Sequence, residues 1–177
     1  MKTLHDHLSG YAAYHRDPRN IATHFVGVPM IVVGVATLLS RPAFATFAVA
    51  DTGITLSPAV LAIAATVAFY LRLDRRFGAV MAVLMGLAGL AGATLAAQTT
   101  AVWLSAGLGL FAVGWVIQLV GHAFEGKKPA FADDLMGLVV GPLFVVAEAA
   151  FAAGFRDEVR VAIEQKTGPT KRRSLSA

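Results

Sequence analysis

Between Arg76 and Glu125 the chain carries no Asp, Glu, Lys or Arg, so residues 77–124 form a run of 48 uncharged positions in a sequence of 177. A helix rises about 1.5 Å per residue, and crossing a hydrocarbon core of roughly 30 Å takes about 20 residues, so this run is long enough for two spans. Hydrophobic residues make up 56% of the chain and charged residues 15%, which is not the balance of a soluble globular domain. Soluble enzymes, secreted disulfide scaffolds and nucleic-acid modules are thereby excluded. The absence of cysteine removes thiolate metal sites, catalytic thiols and disulfides. In such a chain the net charge of +4 reports topology, and no nucleic-acid partner is expected.

The first twenty residues are polar and contain no apolar core of a cleavable signal, so the amino terminus is expected to be retained. Apolar stretches follow at 25–39, 58–71, 77–97, 101–121 and 135–154. Glycine and alanine are abundant in the third and fourth, where small residues let helices approach closely in lipid. With a cytoplasmic amino terminus and four spans, Arg72, Arg75, Arg76, Lys127 and Lys128 fall inside, and the external loops carry only Arg41 and Asp51. A fifth full crossing would put the basic tail outside. A re-entrant or interfacial fifth segment avoids this, and Gly141-Pro142 in its middle supplies a break in the helical ladder. The expected fold is therefore all-α: a polytopic membrane helix bundle of four transmembrane helices, the re-entrant or interfacial fifth segment and an amphipathic N-terminal helix. A single membrane domain over residues 1–160 is followed by a basic, flexible cytoplasmic tail over 161–177, suited to anionic headgroups.

Five histidines occur, at positions 5, 7, 15, 24 and 122. On one continuous helix His15 and His24, nine residues apart, would face opposite ways. Asp17-Pro18 intervenes, however. Asp17 can cap and Pro18 can open a new helix, and this break lets the two rings converge. Asn20 lies one turn before His24 on the same face, and Gln118, His122 and Glu125 form a polar stripe at i, i+4 and i+7 where the fourth segment leaves the membrane. Ionisable groups at membrane depth are costly and usually functional, so the three histidines with Asn20, Gln118 and Glu125 are read as one polar site. His7, Tyr11 and Tyr14 form a stripe read as packing or headgroup contact, an additional ligand being the minor alternative. Glu148 is equally a ligand partner or a salt-bridged side chain. Lys127 and Lys128 set topology and can attract an acidic headgroup. Imidazole and carboxylate without sulfur suit zinc or non-haem iron, and spacing does not choose between them.

The run Tyr14-His15-Arg16-Asp17-Pro18-Arg19-Asn20, then His24 and Val28-Pro29, with Gly114-Trp115-Val116-Ile117-Gln118, Gly121-His122, Glu125, Lys127-Lys128-Pro129-Ala130, Pro142 and Glu148, resembles a small membrane family. It is the family of the fungal protein for metabolism of phytosphingosine to odd-numbered fatty acids, a 2-hydroxy fatty acid dioxygenase with many bacterial relatives. The resemblance covers roughly residues 8–155, and Gly126-Lys127-Lys128-Pro129 looks like the bacterial form. It implies a ferrous iron enzyme of fatty acid α-oxidation that turns a 2-hydroxy fatty acid and O2 into the acid one carbon shorter and CO2. The bacterial form implies a bacterial cytoplasmic membrane, and the topology above, with His24 opening the first segment and His122 closing the fourth, puts the site on its cytoplasmic side.

Carried over residue by residue, the resemblance assigns the catalytic Fe(2+) ligands to His15, His24 and His122. Asn20, Gln118 and Glu125 are placed around the ligands or as an additional ligand, with Tyr11 around the ligands or against the substrate, and Lys127 or Lys128 attracts its carboxylate. Three protein ligands on octahedral iron leave three positions for a chelating substrate and dioxygen. The partners so implied are the 2-hydroxy fatty acid, O2 and membrane lipids, with homo-oligomerisation open. The competing readings are a zinc-dependent membrane lipid hydrolase and a non-enzymatic lipid-binding or transport protein.

Overall fold

The computed structural model describes residues 2–49 and 52–171. Among them are seven helices: α1 Leu4–Ala12, α2 Pro18–Ser40, α3 Pro58–Leu73, α4 Arg75–Ala96, α5 Thr100–Glu125, α6 Met136–Ala152 and α7 Asp157–Thr167. A 3-10 turn covers Ala130–Ala132, and two short strands, β1 Ala45–Val49 and β2 Thr52–Leu56, pair antiparallel with Ala45 opposite Leu56. The all-α membrane bundle is thus present, with a small hairpin where only a loop was expected. The chain divides into two compact units, residues 29–115 and residues 1–28 with 116–177.

In the unit of residues 29–115, α3 and α4 are joined by Asp74 alone. Its backbone N–H closes α3 on Tyr70 O, and its carboxylate accepts from Phe77 N at 2.9 Å to open α4. Close approach explains some of the expected glycines. A Cβ on Gly92 would stand 2.7 Å from the Ala36 carbonyl carbon, and one on Gly34 would stand 2.8 Å from Phe111 N. Gly86 and Gly109 instead face open space. Beside Gly86 and Gly109, Val83, Leu87, Leu90 and Leu108 are exposed, as side chains that meet lipid tails are. The Trp103 indole donates to Thr37 O at 2.8 Å, and the Arg41 guanidinium lies 4.8 Å over its ring. Asp51, expected on the same connection as Arg41, lies outside the described residues.

The other unit contains α1, α6 and α7 with the first part of α2 and the last part of α5. Thr3 and Asp6 form a reciprocal capping box on α1, and Leu4, Leu8 and Ala12 are buried with Val140, Leu143, Phe144 and Ala147 of α6 and Val159 and Ile163 of α7. α6 continues through Pro142, so the break expected at Gly141-Pro142 does not occur there. Proline forfeits one backbone bond, but burial of Val140, Leu143 and Phe144 around it offsets that loss. The chain turns instead at Gly154 (φ +78°) and Arg156 (φ +61°), and α7 leaves α6 at 114°.

α2, α4 and α5 are each long and apolar enough to cross a membrane, and α6 with α7 makes a fourth if the bent pair is one span. α3, at 16 residues, is shorter than these and covers the stretch expected at 58–71. The boundary placed at residue 160 falls inside α7, and residues 172–177 of the expected tail lie outside the described residues.

Candidate metal centre

One break between helices and two helices deliver the three buried imidazoles. α1 ends at Ala12, and residues 13–17 cross to α2, which opens as its sequence predicts: Asp17 Oδ1 accepts from Arg19 N at 2.9 Å, with Pro18 as the first helical residue. His15 sits in that break, His24 lies two turns into α2, and His122 lies in the last turn of α5. They are 0%, 1% and 6% exposed. One nitrogen from each lies within 4.8 Å of the other two, which makes this the group of described side chains suited to hold a metal ion.

The hydrogen bonds fix which nitrogens are free. His15 Nδ1 meets Tyr11 O at 2.7 Å, and His24 Nδ1 meets Asn20 O at 2.8 Å. A carbonyl only accepts, so both Nδ1 atoms carry the proton and both neutral rings present a bare Nε2. These two Nε2 atoms face each other at 3.0 Å. Neither can donate unless a buried imidazolium forms. Desolvation, and secondarily the charge that His24 would carry, hold the His15 pKa far below the ordinary imidazole range. His122 Nδ1 is also buried and without a hydrogen-bond partner. Inward lone pairs with the opposite ring N–H tied to a carbonyl are the arrangement that metal-binding histidines adopt. The donor set fits a cation.

The walls are aromatic. Tyr11 stacks on His15 with ring centroids 4.1 Å apart and planes 2° from parallel, and Phe144 lies 5.4 Å from the same imidazole. A cleft of ≈ 190 Å³ is lined by Tyr11, Tyr14, His7, Asp133 and Val140.

Around the triad, the anticipated residues take distinct places. Glu125 is not among the clustered donors. Its Oε2 accepts from the backbone N–H groups of Arg16 at 2.9 Å and Asp17 at 2.6 Å and from Asn20 Nδ2 at 3.3 Å. It therefore anchors the break that carries His15. Asn20 is fully buried and reaches Tyr14 O at 3.2 Å through the same amide. Gln118 is buried one turn before His122. Lys127 donates to Ala13 O at 2.8 Å, whereas Lys128 pairs with Asp133, which also accepts from Tyr14 Oη. His5 and His7 stand on α1 outside the clustered group. Glu148 faces Arg16 at 3.9 Å.

Arg16 is the residue that sequence reasoning passed over. It is 6% exposed, and its Nε donates to Ala12 O and His15 O at 2.9 and 3.0 Å. A charged residue beside a candidate ligand was the available signal, since burying a guanidinium demands that its donors be met.

A family model described as Mpo1-like, 2-hydroxy-palmitic acid dioxygenase, matches residues 1–153. The 2-hydroxy-palmitic acid dioxygenase MPO1 of Saccharomyces cerevisiae is 32% identical over 163 residues, which cover 91% of this chain and 87% of the yeast protein. No solved structure matches the chain significantly.

Proposed function

The chain belongs to the Mpo1-like family of 2-hydroxy-palmitic acid dioxygenases, and on that premise we propose that it is an Fe(II)-dependent dioxygenase of fatty acid α-oxidation at the cytoplasmic face of a bacterial membrane. A 2-hydroxy fatty acid and O2 give the acid one carbon shorter, CO2 and water. The equation balances with the substrate as donor of all four electrons, so no external reductant enters. The observation that carries the reading is the pair of bare Nε2 atoms of His15 and His24, 3.0 Å apart in a buried site.

His15 and His24 would hold the ion through Nε2, and His122 through Nδ1. When bound, ferrous iron supplies a redox centre at which the hydroxy acid and dioxygen meet. The protein's part is positional. The Tyr11 and Asn20 carbonyls keep each Nδ1 proton in place, so that both rings remain neutral donors. Tyr11 and Phe144 exclude water from the His15 side. Asn20 and Glu125 fix the break between α1 and α2, with Gln118 packed behind His122. Lys127 bonds a neutral carbonyl, whereas the charge of Lys128 is met by Asp133, so Lys127 is the better source of attraction for a substrate carboxylate. The acyl chain can remain among the apolar helices.

The test is to purify the protein in detergent, measure bound metal, and follow 2-hydroxypalmitate under air by mass spectrometry. The expected product is the fatty acid shortened by one carbon, with no turnover without oxygen. Iron-loaded protein that yields no such acid overturns the substrate assignment. Zinc-loaded protein that turns over without oxygen overturns the oxidative chemistry.

A further inference from the structure

The family match ends at residue 153, yet the chain continues into α7 and a short extended segment that returns to the metal centre. α7 docks through Val159 and Ile163, both buried, and through Lys166 bonded to Asp6 at 2.8 Å. Gly168, at φ +78°, ends the helix and redirects the backbone. The next residues meet Arg16, the neighbour of His15. Arg16 Nη1 donates to Gly168 O at 2.9 Å, and Lys171 N donates to Arg16 O at 2.8 Å. Lys171 Nζ also lies 3.6 Å from Glu125 Oε1, the oxygen of that buried carboxylate which has no hydrogen-bond partner. Arg16 is thereby held on both sides: Glu125 takes its N–H, and Lys171 supplies the donor to its carbonyl.

We propose that residues 168–171 are a positioning strap that, through Arg16, fixes His15 for metal binding. The inference rests on the metal-centre reading above. The N–H groups of residues 13–15 bond back to the end of α1, but the N–H groups of Arg16 and Asp17 and the Arg16 carbonyl need partners from elsewhere. Glu125 and the strap provide them. Without the strap, His15 keeps its ring but samples more orientations, and the ion is held less tightly.

The experiment titrates metal-free protein in detergent with Co(II), read by its visible ligand-field bands, and with Fe(II) under nitrogen. Lys171→Pro removes the backbone donor, Lys171→Ala keeps it and removes only the ammonium, and a chain ending at Thr167 removes the whole strap while leaving α7. Loss of one hydrogen bond predicts roughly three- to tenfold weaker binding for Lys171→Pro, and outer-sphere losses of this kind predict about 10- to 100-fold for the shortened chain. The Co(II) bands should change in both, whereas Lys171→Ala, which keeps the backbone donor and loses only the 3.6 Å contact to Glu125 Oε1, should lose less affinity than Lys171→Pro. Wild-type affinity and bands in both Lys171→Pro and the shortened chain overturn the strap, as does an equal loss in Lys171→Ala and Lys171→Pro. A wild-type protein that takes up neither metal overturns the metal-centre reading, and the strap with it.

Discussion

His15 Nε2 and His24 Nε2 point at each other across 3.0 Å, while each ring's Nδ1 proton is committed to the carbonyl four residues earlier. Two lone pairs at that separation repel unless a positive charge stands between or beside them. A proton is a poor candidate, because burial disfavours the charged His15 ring. A divalent cation would satisfy both nitrogens and could take up the partnerless His122 Nδ1 as well.

Metal removal should therefore loosen the unit that holds the histidines. A ligand present at about a hundred times its dissociation constant adds about 2.7 kcal/mol to stability. For a chain of this length that amounts to roughly 5 to 10 °C in Tm. Chelation of purified protein should lower Tm by that amount, with recovery on adding Fe(II). His15→Ala, His24→Ala and His122→Ala should each lose metal, activity and the chelator response together. A chelator-insensitive Tm in metal-loaded wild type would contradict the arrangement.

Glu125 separates a ligand from an anchor. Glu125→Gln retains a side-chain oxygen for the N–H groups of Arg16 and Asp17, whereas Glu125→Ala leaves both buried donors bare at about 1 to 3 kcal/mol each. The glutamine variant should keep metal affinity within about tenfold of wild type, and the alanine variant should lose more than that and unfold earlier. Equal loss of metal in both variants, at the level of His122→Ala, would make Glu125 a ligand instead.

The sequence spacing made the triad visible because Asp17-Pro18 is a local signal: a cap and a first-turn proline act within a few residues, and α2 begins at Pro18. The charge-free run likewise became α4 and α5, since hydropathy and length act on each helix separately. The role of Glu125 was not legible. Helical spacing placed it on the His122 side of α5, but its partners Arg16 and Asp17 are more than a hundred residues away in sequence, and local patterning does not encode such a pairing. Gly141-Pro142 misled in the opposite direction, because tertiary burial around Pro142 outweighs one missing backbone bond. α7 carried a signal that the basic tail obscured: Asp157 and Glu158 in its first turn, Lys166 in its last, Gly168 just beyond, and Val159 and Ile163 one turn apart.

The contact between α1 and α7 should respond to acid. Lys166 and Thr3 hold the Asp6 carboxyl well below the usual carboxylate range. A carboxylate depressed in the folded state stabilises at every pH above its unfolded pKa of about 4, and that contribution fades as pH falls below it. The protection of α7 amides, taken relative to their intrinsic exchange rate at each pH, should fall below about pH 4 in wild type and change less in Asp6→Asn, which has no carboxylate to protonate. Because Asp6 is exposed, salt should weaken the same contact. Identical pH profiles for the two proteins would remove Asp6 from the docking of α7.

Gly121 marks where α5 passes α2 at the metal centre. A Cβ there would collide with Thr23 Oγ1 and stand 2.6 Å from Asn20 Oδ1. Thr23 Oγ1 donates to Asn20 O at 2.7 Å, the same carbonyl that holds the Nδ1 proton of His24. Gly121→Ala therefore displaces the hydroxyl that donates to the carbonyl orienting His24, while the ligands themselves are unchanged. Overpacking of this kind costs about 1 to 3 kcal/mol. A matching loss in orientation corresponds to roughly 5- to 150-fold weaker metal binding. Gly109→Ala, whose Cβ would meet open space, is the comparison and should bind metal as wild type does. Metal titration of the two variants side by side checks the point. If Gly121→Ala retains full affinity, the carbonyl of Asn20 does not govern His24, and the ring must be held by its metal alone.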